Sequence, residues 1–224
     1  MEYFLDTANL DQIRYWQELS LVDGVTTNPA LLAKEGVDPI EQITRIAKLV
    51  TNGPISAEIT LTDPKDMIKQ GLKLSKIAEN IIIKIPAGMP GIPVARALIE
   101  KGIGVNITLV FHATQAMPYI KLGSDYISIF VGRVEDFGFS NIQGVSDARE
   151  IIDASDSRSK VLAASIRSPM QLMDCVSGGA HALTVPPGTW QKVFNNPMYH
   201  SGDASFMESW QSLPKKVRAA YDAI

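Results

Sequence analysis

Eight short β-type runs alternate with amphipathic helical stretches along the whole chain, and this alternation constrains the fold more than any other feature. The runs are EYFL at 2–5, GVTT at 24–27, ISAEI at 55–59, IIIKI at 81–85, GVNITL at 104–109, YISIFV at 126–131, KVLAAS at 160–165 and ALTV at 182–185. Strands that return to their sheet through helices pair in parallel. In the stretch from Asp63 to Ile77 and the Ala78 that follows it, residues Met67, Ile68, Leu72, Ile77 and Ala78 fall close to helical spacing. Prolines at 64 and 169 stand at the first helical position behind the N-cap candidates Asp63 and Ser168. Eight such units closing on themselves make an α/β fold, a (β/α)₈ TIM barrel, as a single domain over residues 1–224. An open doubly wound sheet is the alternative. It would call for a G-x-G-x-x-G after the first run and a single switch point, neither of which is found.

Composition agrees with one sizeable core, at 224 residues with 46% hydrophobic and 20% charged. A net charge of -3, with lysines and arginines dispersed, gives no footprint for nucleic acid. MEYFLDTANL carries an acidic residue where a signal peptide is basic, and no apolar run approaches the ~18 residues of a membrane span. The expectation is a cytoplasmic protein with no nucleic-acid or membrane partner. Cys175, the single cysteine, has no internal partner and reads as a small core hydrophobe.

In a TIM barrel the active site lies at the carboxyl ends of the strands, and residues two apart on a strand share a face. Those ends carry Asp6, Thr26, Asn28, Glu58, Lys84, Asn106, Thr108, Ser128, Phe130, Ser165 and Arg167. The spacing of two in Thr26/Asn28, Asn106/Thr108 and Ser128/Phe130 sends each pair into the barrel mouth together.

Lys84 is the residue that least suits its setting, inside NIIIKIP. An ammonium is costly to bury unless it is paired or loses its proton. It either escapes to solvent at the strand end or serves chemistry. A lysine desolvated by flanking isoleucines can attack a carbonyl carbon and form a Schiff base. Metal chemistry is not expected: His112, His181 and His200 are far apart in sequence, and the carboxylates do not cluster. An iminium is then the available electron sink, with Asp6 and Glu58 able to move protons. Arg133 after the sixth run, and Arg167 with Ser165 after the seventh, suit a phosphate dianion.

The segments FLDTAN at 4–9, GVTTNPALLAKEG at 24–36, IIIKIP at 81–86, NITLVF at 106–111, SIFVGR at 128–133 and AASIR at 163–167 together resemble the transaldolase family. In length the chain resembles the short subfamily that includes fructose-6-phosphate aldolases. By that resemblance Lys84 is the Schiff-base lysine, Asp6 the acid/base at the substrate C4 hydroxyl, and Glu58 with Thr108 the pair that positions a catalytic water. Asn28 and Asn106 would hold substrate hydroxyls, and Arg133, Ser165 and Arg167 the phosphate, with no cofactor. Glu58 and Phe130 resemble transaldolases, whereas the short aldolases carry glutamine and tyrosine there. The loop AGMPGIP at 87–93 departs from the more polar loop expected beside the lysine. The implied activity is dihydroxyacetone transfer between sugar phosphates in the pentose phosphate pathway. The alternatives are fructose-6-phosphate aldolase and a phosphosugar-binding protein without turnover.

Beyond the eighth unit, Ser205 and Glu208 form a predicted capping box of a C-terminal helix over 205–224, with Pro214 as a kink and Phe206, Trp210, Leu213 and Val217 as one apolar stripe. The helix either folds across its own barrel or, as the resemblance implies, packs on a neighbouring subunit of a pentamer or decamer. Phe137 and Phe139, in EDFGFSN, either cover the site as a lid or pack their own loop.

Overall fold

The structure is a computed structural model and describes residues 1–223. Its eight strands are β1 (Glu2–Asp6), β2 (Gly24–Thr26), β3 (Ile55–Glu58), β4 (Ile81–Pro86), β5 (Val105–Val110), β6 (Tyr126–Phe130), β7 (Lys160–Ala164) and β8 (Ala182–Val185). All neighbours pair in parallel, and β1 pairs with both β2 and β8, so the sheet closes into the expected barrel.

The wall is made by α1 (Leu10–Glu18), α2 (Pro29–Glu35), α3 (Pro39–Leu49), α4 (Pro64–Leu74), α5 (Gly91–Ile99), α6 (Ala113–Leu122), α7 (Gly132–Glu135), α8 (Ile142–Ala154), α9 (Pro169–Ser177) and α10 (Pro187–Phe194). Asp63 and Ser168 cap α4 and α9 as their sequences imply, each accepting backbone N–H groups through its side chain.

The period of two divides each strand between two environments. Ile81, Ile83 and Ile85 face outward into the main core under the helices, together with Leu5, Val25, Ile107, Ile129 and Leu183. Ile82 and Lys84 therefore share the inner face of β4. Inside the barrel, at the amino ends of the strands, Phe4, Tyr126, Leu162 and Ala182 form a separate apolar plug with Ile82 against it. Below the plug the Tyr126 hydroxyl donates to Glu2 Oε2 at 2.9 Å, and Lys160 pairs with Glu2. Lys160 is thus tied to the barrel floor.

The C-terminal segment differs from its sequence expectation. It forms two helices, α11 (Pro197–Gln211) and α12 (Lys215–Asp222), with Pro214 breaking rather than kinking the run. Asn196 caps α11, so Ser205 lies in mid-helix and the capping box does not form. Ile224, the end of the expected helix, lies outside the described residues. Neither helix has a buried residue, and Phe206 is 77% exposed. The helices meet each other through Trp210 and Tyr221, whose ring centroids are 5.0 Å apart. No helix among the described residues is long and apolar enough to cross a membrane.

Candidate active site

Strand register assembles the site from residues remote in sequence. Glu58 on β3 stands beside Lys84 on β4, and Lys84 beside Asn106 on β5. Asp6 on β1 stands beside Thr26 on β2. The carboxyl ends of the strands enclose a cavity of about 440 Å³ lined by Asp6, Thr26, Asn28, Glu58, Lys84, Thr108, Ser128, Phe130, Arg133 and Ser165, all expected there from sequence. A larger depression of about 650 Å³ between α6 and α8 is lined by Lys121, Asp156 and Arg158 among others, and gathers no comparable convergence of groups.

The surroundings of Lys84 correct the sequence expectation of an apolar box. Its flanking isoleucines Ile83 and Ile85 face away into the outer core, and the amine is instead met by polar groups. Nζ lies 3.0 Å from Glu58 Oε2 and donates to the Thr27 carbonyl at 3.1 Å. The side chains of Lys84 and Glu58 are 7% and 13% exposed, so the pair is internal to the mouth, not a bulk-solvent ion pair. Asp6 faces them from β1, and burial holds its carboxyl above the ordinary carboxylate range. Lys84, the Thr26 hydroxyl and Lys34 oppose that rise, while Glu58 adds to it.

The TTNP segment is used residue by residue. Thr26 Oγ1 donates to Asp6 Oδ1 at 2.8 Å, and Thr27 Oγ1 donates to the Ser56 carbonyl at 2.8 Å. Asn28 Oδ1 caps α2 by accepting from Leu31 N, with Pro29 in the first turn. Its amide NH₂ remains as a donor for the cavity.

Two backbone distortions border the mouth. Leu109 has φ 59° at an irregularity in the β5–β6 pairing, and Ser165 has φ 62° just after β7. Non-glycine residues there cost roughly 1–3 kcal/mol and mark places where surrounding structure overrides local preference. Beside the β5 irregularity, the Thr108 hydroxyl is buried without a hydrogen-bond partner among the described residues. Such an orphan is a ready position for a water or ligand oxygen. The glycine of FVGR has a packing reason: a Cβ on Gly132 would lie 2.1 Å from the Ser165 carbonyl. Its absence lets α7 close on the end of β7 and places Arg133 over the Phe130 ring at 5.1 Å.

Two expected residues stand off the cavity. Asn106 is fully buried beneath it, donating to Ser56 Oγ at 3.0 Å and accepting from Ser128 Oγ at 2.7 Å. It supports the inner layer rather than presenting its amide to the mouth. Arg167 lies outside the lining and pairs with Asp136 of the loop after α7. In that loop Phe137 and Phe139 are 75% and 69% exposed, so they neither cover the site nor pack the loop. Among the lining residues unanticipated from sequence, Thr184 and Lys34 bring polar groups, and Leu109 brings its strained backbone. For Thr184 the signal was present, because it lies two residues after Ala182 at the end of β8.

Cys175 is fully buried, which pushes its thiol up to about 12 and leaves it inert. His112 caps α6 and His181 Nδ1 accepts from Val161 N. No group of three or more His, Cys, Asp or Glu suited to a metal occurs among the described residues.

A family model described as Transaldolase/Fructose-6-phosphate aldolase matches residues 3–222. The chain belongs to this family. Among similar proteins, a probable transaldolase of Leptospira biflexa is 43% identical over 213 residues, covering 95% of this chain and 99% of that one. A probable transaldolase of Methanococcus maripaludis (strain C5) is 40% identical over 212 residues, covering 95% and 98%. One of Lactiplantibacillus plantarum is 40% identical over 213 residues, again covering 95% and 98%. Among solved structures, 3-hexulose-6-phosphate synthase from Salmonella typhimurium superposes with a TM-score of 0.61 at 14% identity, over 86% of this chain and 96% of that one. That likeness speaks for the barrel alone. In this member of the transaldolase/fructose-6-phosphate aldolase family, Lys84, Glu58 and Asp6 line one cavity at the barrel mouth.

Proposed function

We propose that the protein is a cofactor-free transaldolase that moves a dihydroxyacetone unit from a ketose phosphate, such as fructose 6-phosphate or sedoheptulose 7-phosphate, to an aldose phosphate such as erythrose 4-phosphate or glyceraldehyde 3-phosphate. The observation that carries this reading is the convergence of Lys84, Glu58 and Asp6 from three strands in one cavity at the barrel mouth. Lys84 Nζ passes a proton to the adjacent Glu58 and attacks the C2 ketone as the neutral amine, and loss of water gives the iminium. Asp6 takes the C4 hydroxyl proton, the C3–C4 bond breaks, and its electron pair flows into the iminium to leave an enamine. An aldehyde phosphate departs. The enamine C3 then attacks the acceptor aldehyde, Asp6 returns the proton, and water adds to the new iminium to release the product ketose. Glu58 and the unpartnered Thr108 hydroxyl hold that water. Burial that raises the Asp6 carboxyl makes it a better proton acceptor than an exposed carboxylate.

The substrate phosphate is received by Arg133 and Ser165, with Arg167 joining them when phosphate replaces Asp136. Thr26, Asn28 and Ser128 line the path of the sugar hydroxyls, with Asn106 holding Ser128 from below. Phe130 offers a ring where a phenol could orient a water onto the enamine, which favours transfer over release of free dihydroxyacetone. The place of action is the pentose phosphate pathway in the cytoplasm. The exposed apolar face of α11 and α12 belongs against a neighbouring copy, in a pentamer or decamer.

Borohydride reduction with fructose 6-phosphate should leave a covalent adduct on Lys84, and Lys84→Met should lose both the adduct and turnover. An adduct that survives the substitution overturns the assignment. A coupled assay with and without erythrose 4-phosphate decides the reaction. Free dihydroxyacetone and glyceraldehyde 3-phosphate formed without acceptor indicate an aldolase, and binding without adduct or turnover indicates a sugar-phosphate-binding protein.

A further inference from the structure

Thr26 Oγ1 has two close partners, Asp6 Oδ1 at 2.8 Å and Thr184 Oγ1 at 2.5 Å. A threonine hydroxyl carries one hydrogen. Facing a carboxylate, Thr26 gives that hydrogen to Asp6, so its contact with Thr184 is satisfied when Thr184 donates. Thr184 is 3% exposed and Thr26 2%, so bulk water does not compete for either hydroxyl. The other inner residue of β8, Ala182, belongs to the apolar plug. An apolar side chain would fill position 184 without the cost of burying a hydroxyl.

We propose that Thr184 is a positioning residue that aims the Thr26 hydroxyl at Asp6 and so sets the basicity of that carboxylate. The three groups form a chain from Thr184 to Thr26 to Asp6. Donation from Thr184 polarises Thr26 and strengthens its bond to the ionised carboxylate. When Asp6 takes a proton, the chain can reverse, with Asp6 donating to Thr26 and Thr26 to Thr184. The hydrogen of Thr184 is then released from Thr26 and turns toward the cavity that Thr184 lines. The charged groups that face Asp6 from other elements are Lys84 on β4, Glu58 on β3 and Lys34 on α2, and a change at position 184 removes none of them.

The catalytic consequence rests on Asp6 being the proton carrier proposed above, but the first readout does not. Carbon-13 NMR of the Asp6 carboxyl, assigned with Asp6→Asn, is followed against pH in the wild type, Thr184→Val and Thr184→Ser. The Asp6 midpoint should move to higher pH in Thr184→Val, because the ionised form loses support, and return to the wild-type position in Thr184→Ser. In transfer assays kcat should fall about tenfold in Thr184→Val with KM within about twofold, and the acidic limb should move with the NMR midpoint. A midpoint unchanged in Thr184→Val overturns the proposal, as does one that moves equally in both variants, which would assign the effect to packing. Should Thr184→Val misfold, Thr184→Ala removes the same donor without adding bulk. If the wild type forms no adduct on Lys84, the proposed activity falls while the NMR titration still decides the role of Thr184.

Discussion

The floor and the mouth of the barrel are built from the same strands, two residues apart. On β1 the inner face passes from Phe4 to Asp6, on β4 from Ile82 to Lys84, on β6 from Tyr126 to Ser128 and on β8 from Ala182 to Thr184. At the floor the rings of Phe4 and Tyr126 pack with centroids 5.3 Å apart, and the polar ends that reach it are paired. At the mouth Lys84, Lys34 and Arg133 share one cavity with Asp6 and Glu58, one buried hydroxyl has no partner among the described residues, and two residues hold positive φ. Stability is concentrated at one end of the strands, and the features that oppose it are gathered at the other.

Asp6→Asn is the largest expected break in this contrast. Transfer activity should fall by about 10²–10⁴-fold if Asp6 moves the C4 proton. The protein should nevertheless become more stable at pH 7. The folded carboxyl lies above its unfolded range near ~3.9, so Asp6 opposes folding increasingly as pH rises from about 4 to the folded midpoint, the cost is full above that midpoint, and it vanishes below about pH 4. Thermal unfolding at pH 7 and pH 3.5 checks the sign. A loss of stability at pH 7 would remove the distinction between the two ends.

At the floor the direction reverses. Phe4→Ala should cost about 3–5 kcal/mol, because the side chain is fully buried in a closed plug. Urea unfolding measures that loss. Borohydride trapping per folded molecule should remain near wild type, since Phe4 does not line the cavity.

Phe130→Tyr should have the smallest effect on stability, within about 1.5 kcal/mol, because the ring is retained at the edge of the mouth near Phe111 and under Arg133. Its chemical readout is sharper. Dihydroxyacetone released without an acceptor should increase relative to transfer, and an unchanged product ratio would leave the ring no part in that choice.

Much of this was legible in the sequence. Each expected strand falls within about two residues of its observed bounds, because a period of two and turn chemistry are local signals. Lys84 was conspicuous because its residue type disagreed with its neighbours. What those neighbours did was not legible: isoleucines on both sides of a lysine imply an apolar box only until the pleat sends Ile83 and Ile85 to the opposite face. The C-terminal capping box failed for another reason. Ser205 and Glu208 have the right spacing, but Asn196 with Pro197 starts the helix earlier, so position 205 is already helical.

By itself the sequence determined the eight alternating units, the placement of polar residues at the carboxyl ends of strands, and the motifs shared with one enzyme family. The tertiary structure decided which of those residues meet. Glu58 reaches Lys84 across a strand register, and Thr26 reaches Thr184 across 158 residues of chain. Local propensity acts over a few neighbours, whereas such pairings depend on closure of the sheet, which sets every inward side chain against partners that sequence distance does not reveal.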